Sequence, residues 1–359
     1  MTRAAEVSEP AREPGALFRS EIFEQPAALE RLLADRPEIT EVGKAIARHA
    51  PVMVRLVGHG TSDNAAAFGI YAFGLLGGWT AFRDSISLSV YYGAPLDVSR
   101  SAVIALSQSG RTPDVVEYVS RARAGGALTV ALTNDPDSAL GSAAELTLAL
   151  RAGQERAVAA TKTYLNELAA LVLLAGEVAG RGDEVAGGLH RVAELLDAAL
   201  PGLERDAARI AVPFAYVGRM FVVGRGPELA TAREVALKLT ETCRVAAEPL
   251  SATALAHGPI AAVDSLFPMW AIASHDASLP AVTEAVRRAK AVGATVISCG
   301  SAASELEAAY SLSVPDAPAP LLAPLLSVVP GQLFAGALAR AKGLDPDSPT
   351  GLSKVTLAP

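Results

Sequence analysis

The chain contains the same pattern twice, and this limits its possible folds more than any other feature. Leu56-Val-Gly-His-Gly60 returns as Val222-Val-Gly-Arg-Gly226, an offset of about 166 residues. Ala102–Ser107 returns as Trp270–Ser274, Ala127–Val130 as Ala294–Ile297 and Glu145–Leu148 as Tyr310–Ser313, all near the same offset. Four blocks at one spacing indicate a duplicated unit. Within the first copy, the apolar runs Val52–Val57, Ala102–Leu106, Ala127–Leu132 and Leu146–Leu150 alternate with helical spacing, the pattern of a parallel sheet covered by helices. The expected fold is α/β: two tandem, doubly wound, flavodoxin-like parallel-sheet domains with helices on both faces.

The expected organisation follows from composition along the chain. Residues 1–15 are polar and read as a disordered tail. Residues 16–49 carry helical spacing (Leu17, Ile22, Phe23, Leu29, Leu32, Leu33) that Pro26 and Pro37 break into pieces. The first domain spans 50–212 and ends in long helices from about 161; the second spans 213–359, starting at Pro213.

Several function classes are disfavoured. A net charge of −7 offers no basic face, so no nucleic-acid partner is expected. Cys243 and Cys299 lie far apart and form no disulfide framework, which suits a reducing, cytoplasmic compartment. Residues 1–15 lack the apolar core of a signal peptide, and the longest aliphatic run, Leu168–Ala175, is too short to cross a bilayer, so no membrane partner is expected. The five histidines show no ligand spacing with cysteines or acids, so no metal is expected.

Two strand-to-helix turns carry the chemistry. In Val103–Asp114 a buried strand runs into Ser107-Gln-Ser-Gly-Arg-Thr112, and Pro113 opens a helix capped by Thr112. A helix N-terminus ringed by hydroxyls can hold a phosphate without a lysine; an ordinary capped turn is the alternative. The second turn, Gly58-His-Gly-Thr-Ser-Asp-Asn64, lacks the third glycine of a dinucleotide fingerprint, as does Gly224-Arg-Gly-Pro-Glu-Leu229. No Gly-Lys-Ser/Thr triplet exists, which excludes a nucleotide P-loop. Thr61 and Ser62 remain as hydroxyls at the carboxyl edge of the sheet, where open α/β folds bind ligands. In the second copy the serine-rich loop is replaced by Ser274-His-Asp-Ala-Ser.

Helix Ala232–Glu241 sets Lys238 and Glu241 on one face, either as a solvated salt-bridge surface or as a carboxylate base steadied by an ammonium. His257 lies in Leu255-Ala-His-Gly-Pro259, a break from which its ring can project into a cavity.

Eight segments in order resemble the sugar isomerase (SIS) domain family. They are Glu21-Ile-Phe-Glu-Gln-Pro26, Gly60-Thr-Ser62, Ser107-Gln-Ser-Gly110 with Thr112, Val158-Ala-Ala-Thr-Lys162, Ala236-Leu-Lys-Leu239 with Glu241, Ala247-Glu248, His257-Gly-Pro259 and Gly351-Leu-Ser-Lys-Val355. The resemblance is strongest to the branch holding the isomerase half of glucosamine-6-phosphate synthases and the stand-alone SIS-type deaminases. It implies that Ser107, Gln108, Ser109 and Thr112 bind a sugar phosphate with Thr61 and Ser62 nearby. It implies that Glu241 moves a proton between C1 and C2, and that His257 opens the ring from the partner subunit of a homodimer. It puts Lys354 and Ser353 on a C-terminal segment that closes over the sugar, with Lys238 and Val158 lining the site, and it calls for no cofactor. The implied reaction is conversion of glucosamine 6-phosphate, or a close relative, to fructose 6-phosphate and ammonia. Galactosamine-6-phosphate deamination, fructosamine-6-phosphate deglycation and non-catalytic sensing are the alternatives. Arg111, Ala254 and Thr240 depart from the family's usual residues, which leaves the sugar open. No glutaminase-type segment is expected ahead of the first sheet, so ammonia from glutamine is not expected of this chain alone.

Overall fold

A computed structural model describes residues 12–354. Pro26 and Pro37 fall in the first turns of their helices, where a missing N–H breaks no bond, and they separate α1 (Ala16–Phe23), α2 (Gln25–Ala34) and α3 (Arg36–His49). The first sheet unit follows: β1 (Met53–Val57), α4 (Thr61–Gly77), β2 (Ala81–Arg83), α5 (Ile86–Val90), β3 (Ser101–Leu106), α6 (Pro113–Ala124), β4 (Leu128–Thr133), α7 (Ala139–Ala143) and β5 (Leu146–Ala149). Two long helices, α8 (Lys162–Val178) and α9 (Gly182–Ala211), lead to the second unit. This comprises β6 (Arg219–Gly224), α10 (Glu228–Cys243), β7 (Ala246–Ser251), β8 (Met269–Ile272), α11 (Leu279–Ala291), β9 (Val296–Gly300), β10 (Tyr310–Ser313) and α12 (Ala323–Ala341).

Both sheets are parallel and have the same order, β2-β1-β3-β4-β5 and β7-β6-β8-β9-β10, the flavodoxin-like arrangement. The four repeated blocks fall on β1/β6, β3/β8, β4/β9 and β5/β10, so the internal repeat is a structural duplication. Two strands had no sequence signal. β2 has only three residues, and β7, on a sheet edge, carries Glu248 and Pro249 where an apolar run would be expected.

Strand alternation divides the core into layers. Val54 and Leu56 face a shared core with α4, α8, α9, α10 and α12, which joins the two units. Val57, Val103 and Ala105 face the opposite way onto Val115 and Tyr118 of α6. In the second unit Val223 and Met269 likewise meet Val282 and Val286 of α11. Helices α4 and α10, equivalent elements of the two units, pack on each other across the seam.

Among the described residues one helix, Pro320–Ala341, is long and apolar enough to cross a membrane, and its apolar stretch is buried, packed against α9 and α10. Scanning for uninterrupted aliphatic runs overlooks it because Pro324, Pro330 and Gln332 interrupt the run.

Candidate active site

A cavity of about 630 Å³ opens at the carboxyl ends of β1 and β3. Its walls are the turn His59–Ser62, the loop Leu106–Ser109 with Thr112, Val158 and Ala160, Glu241 of α10 and the segment Leu352–Lys354. The turn can be this tight only because Gly58 has no side chain: a Cβ there would lie 3.0 Å from Ser62 and 3.1 Å from the Leu106 carbonyl. In the loop, Gly110 adopts φ +63°, and a Cβ would approach Ser138 Oγ to 1.9 Å.

The hydroxyls of the loop point back on it only weakly. The Gly110 N–H donates to Ser107 Oγ at 3.2 Å, the Arg111 N–H donates to Ser109 Oγ at 3.3 Å, and Ser107 and Thr112 hydroxyls lie 3.4 Å apart. Their protons are thus available to a ligand. Thr112 occupies the N-cap position of α6, in the extended backbone usual there, but its side chain makes no capping bond and its hydroxyl lies near that of Ser107 instead.

Behind the wall lies a buried ionic network that spans the two units. Lys238 Nζ is 2.6 Å from Glu241 Oε2, 3.3 Å from Glu234 Oε1 and 3.2 Å from Thr61 Oγ1. Thr61 donates to Glu234 Oε1 at 3.1 Å, and Asn64 Nδ2 donates to Glu234 Oε2 at 2.9 Å. Burial alone would lower the Lys238 ammonium, but the Glu234 and Glu241 carboxylates outweigh it and hold the group charged. The side chain of Lys238 is 0% exposed and that of Glu241 21%. The solvated salt-bridge surface is therefore excluded, because α4 covers this face of α10.

The remaining wall is tied down from three directions. Lys354 Nζ donates to Glu155 Oε2 at 3.1 Å and to the Ala157 carbonyl at 2.7 Å. Burial would raise Glu155, but Lys354 and the amides of Thr161 and Thr163 hold its carboxyl below the usual range. Asp347 accepts from the Leu17 and Phe18 amides at 3.0 and 2.7 Å and so caps α1, while its carbonyl accepts from the Val158 N–H at 3.2 Å. Glu21 of α1 accepts from the Arg156 and Ala157 amides, and burial pushes it up to about 7.

Ten of the sequence-predicted site residues line this one cavity: Thr61, Ser62, Ser107, Gln108, Ser109, Thr112, Val158, Glu241, Ser353 and Lys354. Lys238 does not line it and acts from behind. His257 is exposed in a short 3-10 turn and does not line the cavity, so its ring does not project into this chain's own site. His59, Tyr91 and Asp114 also face the cavity, with His59 Nε2 2.8 Å from Asp114 Oδ2. They were not expected, since contacts between elements about 55 residues apart leave no local sequence signal. The described residues contain no cluster of three or more His, Cys, Asp or Glu that could hold a metal ion.

The SIS domain model matches residues 53–176 and again 214–341, once for each sheet unit. The chain belongs to the SIS domain family. Proteins named glutamine–fructose-6-phosphate aminotransferase (isomerizing) align from Pyrococcus horikoshii, 34% identical over 93% of this chain, and from Thermococcus kodakarensis, 35% identical over 97%. The alignments cover 56% and 59% of those proteins, so this chain spans little more than half their length. Among solved SIS structures, a Silicibacter pomeroyi protein superposes with a TM-score of 0.85 at 33% identity, covering 92% of this chain and 99% of the other.

Proposed function

We propose that this chain is a phosphosugar isomerase acting as a deaminase on a hexosamine 6-phosphate. The observation that carries the reading is that Glu241, 2.6 Å from a buried ammonium, opens onto the same cavity as the 107–112 hydroxyl loop. The hydroxyls of Ser107, Ser109 and Thr112, with Gln108, bind the sugar's phosphate and present its open chain to the carboxylate. Glu241 takes the C2 proton and returns it to C1 while a proton passes from the amine nitrogen to the C1 oxygen, so the open aldehyde becomes an alcohol and the C2 amine a ketimine. Water then hydrolyses the ketimine to the 2-ketone and ammonia, giving fructose 6-phosphate from glucosamine 6-phosphate without any redox change. Lys238 pairs with Glu241 from behind the wall, and Lys354 holds the C-terminal segment against the cavity.

Ring opening requires a further acid–base group, and exposed His257 serves this role from a second copy in a homodimer. The relatives named isomerizing aminotransferases support a 6-phosphosugar with nitrogen at C2. The test is to incubate the purified protein with glucosamine, galactosamine and fructosamine 6-phosphates, measuring ammonia and ketose phosphate. Ammonia released with fructose 6-phosphate from glucosamine 6-phosphate is the expected result. Turnover of another panel member would reassign the sugar, and binding without any turnover would replace the enzyme with a sensor.

A further inference from the structure

Glu167, on α8, has no part in the reaction above, yet it lies directly beneath the cavity wall. It is 0% exposed, and its Oε1 is 2.6 Å from the Oγ of Ser62, a cavity-lining residue that is 7% exposed. The other oxygen, Oε2, is buried with no hydrogen-bond partner among the described residues. A hydroxyl has one proton. When Ser62 spends it on a Glu167 carboxylate, it offers the cavity only lone pairs, and an anion behind them, which a phosphate dianion avoids. When Glu167 is the donor, Ser62 accepts from below and its own proton is free to point upward. The unpaired Oε2 favours this second state, because half of an ionised carboxylate left buried without a partner is costly, whereas an acid carbonyl is much less so.

We propose that Glu167 is a positioning residue that acts through Ser62: as the neutral acid it donates to Ser62 Oγ and thereby aims the Ser62 hydroxyl proton at the phosphate of the bound sugar. The inference rests on the phosphate-binding reading of the cavity. The surrounding charges are consistent with it. Glu234 on α10 and Glu155 before α8 disfavour ionisation, Lys238 on α10 opposes them, the neighbouring α4 brings the Ser62 hydroxyl, and the Tyr164 phenol lies one turn earlier on α8. Burial outweighs the Ser62 hydrogen bond and pushes the acid up to about 8. Deprotonation then reverses the Ser62 hydroxyl and weakens phosphate binding above that pH.

The test is calorimetric binding of glucitol 6-phosphate, an open-chain phosphate that is already a dianion at neutral pH, to the full chain across pH 6.5 to 9.5. For the natural protein Kd rises about tenfold or more from pH 7 to 9.5, the size of a charged hydrogen bond, with proton uptake on binding near pH 9. In Glu167→Gln the amide N–H donates to Ser62 at every pH, so the neutral-pH affinity persists and proton uptake disappears. Ser62→Ala binds more weakly at pH 7 and shows no further loss. Thermal melts establish that the variants fold; should Glu167→Gln fail to fold, proton uptake by the natural protein and the Ser62→Ala profile decide the matter. Flat binding in the natural protein, or the same decline in Glu167→Gln, overturns the role of Glu167 and leaves the phosphate site standing. No binding at any pH overturns the phosphate site as well.

Discussion

The Lys238 ammonium lies 2.6 Å from the Glu241 carboxylate, with the lysine sealed from solvent and the acid opening onto the cavity. This pair joins two otherwise separate parts, a hydroxyl loop from the first unit and a helix from the second. Any ligand held by that loop meets a carboxylate whose charge is compensated from within the protein.

Glu241→Gln removes the proton acceptor while keeping shape and polarity. The expected result is a kcat lower by about 10²–10⁴-fold with sugar-phosphate binding preserved. Steady-state kinetics on glucosamine 6-phosphate, with calorimetric binding alongside, measure both; an undiminished kcat removes Glu241 from the role.

Ser109→Ala combined with Thr112→Val takes two donors from the loop. A buried phosphate oxygen that loses its donor costs about 1–3 kcal/mol, so KM should rise by roughly tenfold or more with a smaller change in kcat. An unchanged KM would locate the phosphate elsewhere.

Lys238→Met strands Glu234 and Glu241 without their cation. Breaking a buried ion pair from one side costs about 3–5 kcal/mol, which chemical denaturation should register as a lower midpoint. Stability equal to that of the natural chain would mean that the two carboxyl groups do not depend on the lysine.

Glu21 is raised from an ordinary 4.5 to about 7, chiefly by burial against the opposing pull of the Arg156 amide. Between those values the folded chain holds a proton that the unfolded chain has released. The contribution is therefore fully present below about pH 4.5 and is lost as pH rises through 7. Urea unfolding free energies from pH 5 to 8 should fall more steeply for the natural protein than for Glu21→Gln. Equal slopes would refute the shift.

The sequence already contained the duplication, because strands buried on both faces leave continuous apolar runs and the glycine turns that follow them cannot vary freely. Pro26 and Pro37 marked the breaks in the N-terminal helical stretch for an equally local reason. The loop residues Ser107 to Thr112 were also legible, since their chemistry lies within one segment. The buried acids were not. Glu234 reads as one half of an i,i+4 surface pair and becomes a buried hub only because Thr61 and Asn64, about 170 residues earlier, are packed against it. Glu167 sits in a helix otherwise rich in leucine and alanine, where nothing local shows that Ser62 lies above it. His257 followed the opposite course: its chain break suggested a concave setting, but the turn Ala254–His257 lies at the surface.

The two units differ at one equivalent position, with a consequence for the role of the second turn. Where the first unit has Ser62, the second has Glu228, 1% exposed and accepting from Ser274 Oγ at 2.5 Å, Thr231 Oγ1 at 2.7 Å and Ser327 Oγ at 2.7 Å. The hydroxyls that could greet an incoming anion there are turned onto a carboxyl of the chain itself, one that burial pushes above its ordinary value. On the phosphate-binding reading of the first unit, this turn of the second serves as internal scaffolding, joining α10 to α12 and to the end of β8 through one acid.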